Sequence, residues 1–258
     1  MPDRVRFESD GDVGLIVLDD PPLNLFGREL VEDLMAAIEE AHASDIRALI
    51  VRAEGEVFTG GADVKAFKGL TKEAGDEFFM QLIAVTQRLE DLPVPTLAAA
   101  HSLCLTAGFE LSLACDMIWA GESARFGLVE QVVGITPGMG GTQRLVERAG
   151  PARAREFVMS GGLYDAATLE RWNVINRVVP DEELDAKALK FARKLAAGPT
   201  LAHAATKRIV RAAIDEGVRG ADARVGEIVA PLFETEDAKN AIDSFLTEGP
   251  GKATYEGR

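Results

Sequence analysis

Short apolar runs typical of buried strands alternate with amphipathic helical runs through most of the chain. Residues 13–18, 48–51 and 94–100 are apolar and short, and turn residues such as prolines border the first and the last of them. Between them, apolar residues recur at helical spacing over residues 27–43 and again over about residues 72–89. Strands separated by helices favour parallel pairing, because the helix returns the chain to the edge where the next strand begins. The pattern predicts an α/β core.

The character of the chain changes from about Asp181, where Ala, Lys, Arg and Glu dominate. Three helices are predicted there, with breaks at Gly198-Pro199 and Thr235: residues 182–197, 199–216 and 236–247. We therefore divide the chain into an α/β core, residues 1–195, and a C-terminal helical region, residues 196–258. The helical region either serves oligomerisation or covers its own core.

Charge and cysteine usage limit the surroundings in which such a chain works. The formal net charge of −14 disfavours nucleic acid and anionic membranes as partners. No run approaches 18 apolar residues, and the N-terminus lacks the basic and apolar regions of a secretory signal. Cys104 and Cys115 lie in apolar segments and are predicted to be buried free thiols in a reducing compartment. We expect a cytoplasmic protein with no nucleic-acid or membrane partner.

The familiar motifs of metal and nucleotide sites are missing from the sequence. The three histidines, His42, His101 and His203, are scattered, and none has another His or Cys at metal-ligand spacing. The chain contains neither G-x-S-x-G nor the glycine-rich phosphate-binding motifs. We expect no metal site.

Two glutamates stand alone in stretches that are otherwise free of charge. Glu110 is the only Asp, Glu, Lys or Arg in residues 93–115, and Glu130 is the only one in residues 126–143. An unpaired buried carboxylate costs several kcal/mol and has a raised pKa, so a fold that retains one often uses it in catalysis. The structural alternative for each glutamate is capping of a helix N-terminus or an ion pair with a distant arginine.

Three glycine-rich turns accompany the glutamates. Residues 58–63 and 106–108 allow a ligand to approach the backbone closely, and residues 106–108 are predicted to precede the helix that carries Glu110. Two backbone N–H donors from separate loops are what an oxyanion hole requires, although ordinary turns have the same composition. The third turn, residues 137–141, follows Glu130 and opens a helix.

In these features the chain resembles the crotonase (enoyl-CoA hydratase/isomerase) superfamily. FTGGADVKAF, at residues 58–67, is similar to the first oxyanion loop of that family. TAGFELSLACD, at residues 106–116, and FGLVEQVVGITPGMGGTQRL, at residues 126–145, resemble the segments with its two glutamates. The chain differs where Thr106 and Ala107 replace two glycines and where Val129 replaces a proline.

The resemblance implies a fold, a ligand and roles for individual residues. The implied fold is a crotonase-like spiral of ββα units with a C-terminal helical trimerisation region, and the implied ligand is a coenzyme A thioester. Ala62 and Ala107 would donate the oxyanion-hole N–H groups, and Glu110 and Glu130 would be catalytic. The implied substrate-binding residues are Leu23, Leu25, Asp63, Val64, Lys65 and Gly138.

The activity implied by the resemblance is hydration of a 2-enoyl-CoA by the two glutamates. Isomerisation of a 3-enoyl-CoA to a 2-enoyl-CoA needs only one carboxylate, and a non-catalytic acyl-CoA-binding relative is the third reading. Coenzyme A would enter as part of the substrate, so no metal or other cofactor is expected. The implied assembly is a homotrimer or a dimer of trimers.

Overall fold

The computed structural model describes residues 4–258, and nine strands and eight α-helices can be traced in that range. The strands are β1 Val5–Asp10, β2 Val13–Leu18, β3 Ala48–Ala53, β4 Thr96–Ala100, β5 Leu103–Leu105, β6 Met117–Gly121, β7 Arg125–Gly127, β8 Tyr164–Asp165 and β9 Arg177–Val179. The helices are α1 Arg28–Ala43, α2 Lys72–Glu90, α3 Thr106–Ala114, α4 Gly141–Ser160, α5 Ala166–Arg171, α6 Leu184–Ala196, α7 Thr200–Val229 and α8 Glu236–Glu248.

The strands form two sheets, and the predicted parallel pairing is confirmed. The larger sheet has the order β1-β2-β3-β4-β6-β9, and every pair except β1–β2 is parallel. The smaller sheet has the order β5-β7-β8. Two successive units of the chain are β4-β5-α3 and β6-β7-α4. Each unit contributes its first strand to the larger sheet and its second strand to the smaller sheet, and then continues into a helix. This is the predicted spiral of ββα units.

Helix α3 runs through the middle of the molecule and is buried on all sides. All nine of its residues are buried, including Glu110. Helices α1 and α2 bury only one face each, which matches the apolar spacing that predicted them. A continuous apolar core surrounds α3, so a carboxylate on this helix lies far from bulk water.

The C-terminal helices begin where the core ends. Helix α6 packs on the larger sheet, where Phe191 stacks on Trp119. Helix α7 follows after Gly198 and Pro199, and its first helical segment ends at Gly217, both as predicted, but a second helical segment continues directly to Val229. The backbone departs from helical geometry only at Gly217 (φ 74°), so two helical segments follow one another there with no intervening loop.

Cys104 and Cys115 are buried free cysteines, as predicted. Among residues 4–258, no helix combines the length and the apolar composition needed to cross a membrane.

Gly108 of α3 allows Thr59 to approach the helix, and we predict a steric cost if it is replaced. A Cβ at position 108 would lie 2.0 Å from Thr59 Cγ2. Thr59 cannot turn away without loss, because its hydroxyl accepts from Gly61 N–H and donates to the Asn24 carbonyl, both at 2.8 Å. Gly108→Ala should lower the free energy of unfolding by about 1–3 kcal/mol in urea titrations.

Thr59→Ser removes only the clashing methyl group and keeps the hydroxyl, so it should restore most of the stability lost in Gly108→Ala. Gly75→Ala in α2 is the control, because a Cβ there meets nothing within 4 Å. Purely additive effects of Thr59→Ser and Gly108→Ala would contradict the steric explanation.

Candidate active site

Strand β5 brings the three predicted site segments together. On one edge it pairs in parallel with β7, with Leu105 opposite Gly127. On the other edge Cys104 forms a parallel bridge with Thr59, at the start of the first glycine-rich loop. Parallel neighbours end at the same side of a sheet, so Glu110, five residues beyond Leu105, and Glu130, three beyond Gly127, emerge on one side.

The predicted substrate-binding residues of the N-terminal segment join the same loop. Phe26 forms a parallel bridge with Ala62, through hydrogen bonds from Phe26 N–H to the Gly61 carbonyl and from Asp63 N–H to the Phe26 carbonyl. A Cβ at Gly60 would lie 3.3 Å from Leu23 and 3.2 Å from Leu25. Leu23 is exposed and Leu25 half-buried, so both remain available to a ligand beside this loop.

Glu110 is held by the third glycine-rich turn. Its Oε2 atom accepts hydrogen bonds from Met139 N–H at 2.8 Å and from Gly141 N–H, the first residue of α4, at 2.6 Å. The helix-capping alternative therefore describes part of its environment. These donors favour the ionised form, but burial and the negative charge of Glu130 outweigh them and raise the pKa of Glu110 to about 8.

Glu130 lies near enough for its negative charge to raise the pKa of Glu110. It is 8% exposed and begins a short 3-10 helix, Glu130–Val133. Its buried Oε2 atom has no hydrogen-bond partner among residues 4–258. Burial raises the pKa of Glu130 to about 7, against the opposing effect of its own N–H. Val129 has φ −104°, outside the range that a proline ring allows, so the backbone before Glu130 differs from one that starts with proline.

The two predicted oxyanion donors differ in their surroundings. Ala107 N–H lies in the first turn of α3, where a helix offers it no intrahelical acceptor. Ala62 N–H instead donates to Thr106 Oγ1 at 2.7 Å. The helix begins at Thr106, so the prediction that residues 106–108 precede it is wrong. The left-handed Thr106 (φ 45°) makes the sharp turn, and the next residues are already helical.

The remaining predicted substrate-binding residues lie around these groups. Asp63 caps a 3-10 helix, Val64–Phe67, by accepting from Lys65 N–H, and Val64 and Lys65 are exposed there. Gly138 lies beside the donor of Met139, and a Cβ on it would reach within 2.2 Å of the Phe79 ring. The Phe79 ring of α2 thus borders the side of the site where Glu110 is anchored.

Several groups in this site were not identified from the sequence. The N–H donors of Met139 and Gly141 are backbone groups, and backbone groups cannot be recognised from the residue type. Gly141 did leave a signal, because a Cβ there would lie 2.6 Å from Glu110 Cγ and only glycine permits this approach. In the sequence Thr106 stands out only as a replacement for glycine, and its hydroxyl contact with Ala62 depends on a residue 44 positions away.

Other polar features of the described chain lie away from these residues. A cavity of about 760 Å³ lies beneath α7 and is lined by Glu90, Arg148, His203 and Lys207, with none of the predicted site residues in its wall. In the range 4–258, no cluster of three or more His, Cys, Asp or Glu side chains is arranged to hold a metal ion.

Known proteins resemble this chain in sequence and in structure over nearly its whole length. A family model described as enoyl-CoA hydratase/isomerase matches residues 8–257. A probable enoyl-CoA hydratase of Rhizobium meliloti is 32% identical, with 93% of this chain and 94% of that protein aligned. A short-chain-enoyl-CoA hydratase of Clostridium acetobutylicum is 30% identical, with 94% of each aligned. The crystal structure of a Bacillus anthracis enoyl-CoA hydratase has 28% identity and a TM-score of 0.91, covering 99% of this chain and all of that one.

Because folding raises the pKa of Glu110, we predict a specific pH dependence of stability. A carboxyl with a raised native pKa binds more protons in the folded than in the unfolded chain between the two pKa values. Its contribution to the free energy of unfolding therefore falls as pH rises from about 4.5 towards about 8. Glu110→Gln removes this decline, and its amide oxygen can still accept the two N–H bonds.

Urea titrations across this pH range provide the measurement. The stability of Glu110→Gln relative to wild type should rise with pH by a few kcal/mol, since a tenfold change in proton affinity corresponds to roughly 1.4 kcal/mol. Glu40→Gln, an exposed position of α1, should keep the wild-type profile. Parallel profiles for wild type and Glu110→Gln would contradict the raised pKa.

Proposed function

The chain belongs to the enoyl-CoA hydratase/isomerase family, and we propose that it adds water across the double bond of a 2-enoyl-CoA thioester. The observation that carries this proposal is the pair of buried glutamates, in which the negative charge of Glu130 lies near enough to raise the pKa of Glu110. The pKa values are raised to about 8 for Glu110 and about 7 for Glu130, so the pair can retain a proton near neutral pH. Hydration needs this state, with one carboxylate as base and one carboxylic acid as donor.

In the proposed mechanism both carboxyl groups contact one water molecule. Glu110, fixed by two N–H donors on Oε2 that favour its ionised form, orients the water and accepts its proton as oxygen attacks Cβ. The proton of the pair must then start on Glu130, which is the less populated arrangement because Glu110 has the higher pKa. Glu130, whose Oε2 has no partner in the described chain, delivers a proton to Cα. The hydroxyl group of the water bonds to Cβ, and a proton from the pair bonds to Cα. Because the pair also accepts one proton from the water, it ends with the same total number of protons.

The thioester oxygen becomes negatively charged as Cβ is attacked, so it needs hydrogen-bond donors. The predicted donors are the backbone amides of Ala62 and Ala107, where the first loop meets α3. Removal of one such donor typically lowers the rate by about 10²–10³. The coenzyme A part would lie along Leu23, Leu25 and the 3-10 helix that follows Asp63, where these side chains are exposed or half-buried. Gly138 would shape the pocket beside the anchored Glu110.

The proposed reaction uses only proton transfers and hydrogen bonds to the thioester. Coenzyme A is carried by the substrate, so the scheme calls for no redox cofactor. The acyl-CoA is the expected partner, and the chain's net charge of −14 leaves any attraction for its phosphates to local groups such as Lys65.

Hydration should depend on both carboxyl groups, and conversion of either to the amide tests this. Glu110→Gln and Glu130→Gln should each lower kcat for a short 2-enoyl-CoA by about 10²–10⁴, because each variant loses one proton-transfer group. The loss of absorbance of the conjugated thioester measures the rate. Glu147→Gln serves as the control, since it changes an exposed glutamate on α4.

Near-normal activity of both variants would contradict the two-glutamate mechanism. The isomerase alternative has its own signature, because one carboxylate can move a proton between Cα and Cγ. Incubation with a 3-enoyl-CoA in heavy water distinguishes the two. Efficient conversion to the 2-enoyl-CoA that survives in Glu110→Gln or Glu130→Gln, without hydration by the wild type, would favour the isomerase.

We propose further that the C-terminal helical region joins copies of the chain into a trimer or a dimer of trimers. Large apolar side chains are exposed along it, including Val218 at 73%, Phe233 at 64% and Leu246 at 75%. Monomeric proteins rarely expose much apolar surface in one region. We therefore expect other copies of the chain to cover these side chains.

Light scattering after gel filtration tests this assembly. The wild type should give three or six times the chain mass, as proposed, and Leu246→Asp should shift the population towards smaller species. Met159→Asp, at a similarly exposed apolar side chain of α4 (72%), is the matched control. A wild type that elutes as a monomer would contradict the proposal.

A further inference from the structure

Thr106 combines three properties that are unusual in one residue. It is 7% exposed, it has a β-branched side chain, and its φ of 45° lies in the left-handed region. β-branched residues rarely adopt this conformation, and such strain persists where the surrounding structure enforces it. Its position is the first residue of α3, directly between the two predicted oxyanion donors.

The hydroxyl of Thr106 accepts the hydrogen bond of the Ala62 N–H group. Oγ1 accepts from Ala62 N–H at 2.7 Å, a short and well-formed bond. The contact is tight, because a Cβ on neighbouring Gly61 would lie 2.2 Å from Oγ1. An amide has a single hydrogen, so Ala62 cannot donate fully to a thioester oxygen while this bond persists.

The hydroxyl's own hydrogen is free to take over that role. A threonine hydroxyl has one donor and two acceptor sites, and Thr106 uses one acceptor site for Ala62. Within the described residues its hydrogen is donated to no carbonyl or side-chain oxygen, unlike that of Thr59, which is donated to the Asn24 carbonyl. A hydroxyl that accepts a hydrogen bond is also a stronger donor, because successive bonds polarise each other.

We propose that the Thr106 hydroxyl is a catalytic residue of this chain and donates a hydrogen bond to the thioester oxygen beside Ala107 N–H. Ala62 N–H orients the hydroxyl and acts on the substrate through it. The oxyanion hole then consists of one backbone amide and one side-chain hydroxyl, both from the first turn of α3. This proposal rests on the proposed thioester chemistry and adds a donor to it.

Three substitutions at this position separate the possible roles of the hydroxyl. Thr106→Val keeps the shape and the β-branch but removes the donor, and should lower kcat by about 10²–10³ with KM within about threefold. Thr106→Ser keeps the donor and should stay within about tenfold of wild type. Both Thr106→Val and Thr106→Gly release Ala62 N–H, but only Thr106→Gly also removes the side chain beside it, so direct donation by Ala62 should place its kcat between those of Thr106→Val and wild type.

The opposite ordering would overturn the proposal. If the hydroxyl only blocks the hole, Thr106→Gly should exceed wild type in kcat/KM. Wild-type kcat in Thr106→Val would equally exclude a donor role. Thr206→Val, which removes an exposed hydroxyl bonded to the Ala202 carbonyl in α7, controls for the substitution itself.

A measurement without turnover separates this proposal from the proposed function. The infrared band of the carbonyl of bound hexanoyl-CoA, isotope-labelled at that carbon, reports the hydrogen bonds to the thioester oxygen. The band should lie at lower frequency in wild type and Thr106→Ser than in Thr106→Val. That result would uphold the hydroxyl donor even in a protein that hydrates no enoyl-CoA, whereas identical bands in all variants would overturn it. Thr106→Ser and Thr106→Gly keep the test decisive if Thr106→Val fails to fold.

Discussion

The position of strand β5 between two parallel partners determines where the candidate site forms. It has only three residues, yet it pairs with β7 on one edge and bridges Thr59 on the other. Each neighbour continues into a site segment at the same end of the sheet. The first loop, the start of α3 and the turn at Glu130 therefore converge through backbone pairing, and the hydrogen bond from Ala62 N–H to Thr106 Oγ1 adds to it. A slip of one residue in this register would turn each segment to the opposite face.

The same arrangement makes the environment of Glu110 apolar. Helix α3 follows β5 into the centre of the core, so a carboxyl one turn along it is buried in its entirety. Its hydrogen-bond partners in the described chain are backbone groups, since Met139 and Gly141 supply two N–H donors from the turn that opens α4. The carboxyl is thus both a cap for α4 and a group with a raised pKa. Structural and catalytic interpretations of an isolated glutamate do not exclude each other here.

Much of this was readable from the sequence, because the relevant signals are local. Apolar spacing predicted α1 and α2, and charge-free stretches singled out Glu110 and Glu130. What could not be read depends on atoms brought together from distant positions. The donors to Glu110 are backbone amides about thirty residues away along the chain, and amides look alike in every residue. The start of α3 at Thr106 was missed because composition places glycine-rich residues in turns, whereas the buried surroundings favour a helix from the first residue after β5.

The site carries two local costs, a buried acidic pair and a strained Thr106. Thr106 and Glu110 follow β5 within five residues and Glu130 follows β7, next to the most completely buried part of the core, including Phe109 and Phe126. A rigid apolar surrounding is what allows such costs to persist, since relaxation of either group would require the core to open. The same rigidity holds the hydroxyl of Thr106 and the amide of Ala107 in the first turn of α3 and the carboxyl of Glu110 about one turn further along the helix. Their relative positions therefore follow from helical geometry, and the chemistry assigned to them depends on α3 remaining intact from its first residue.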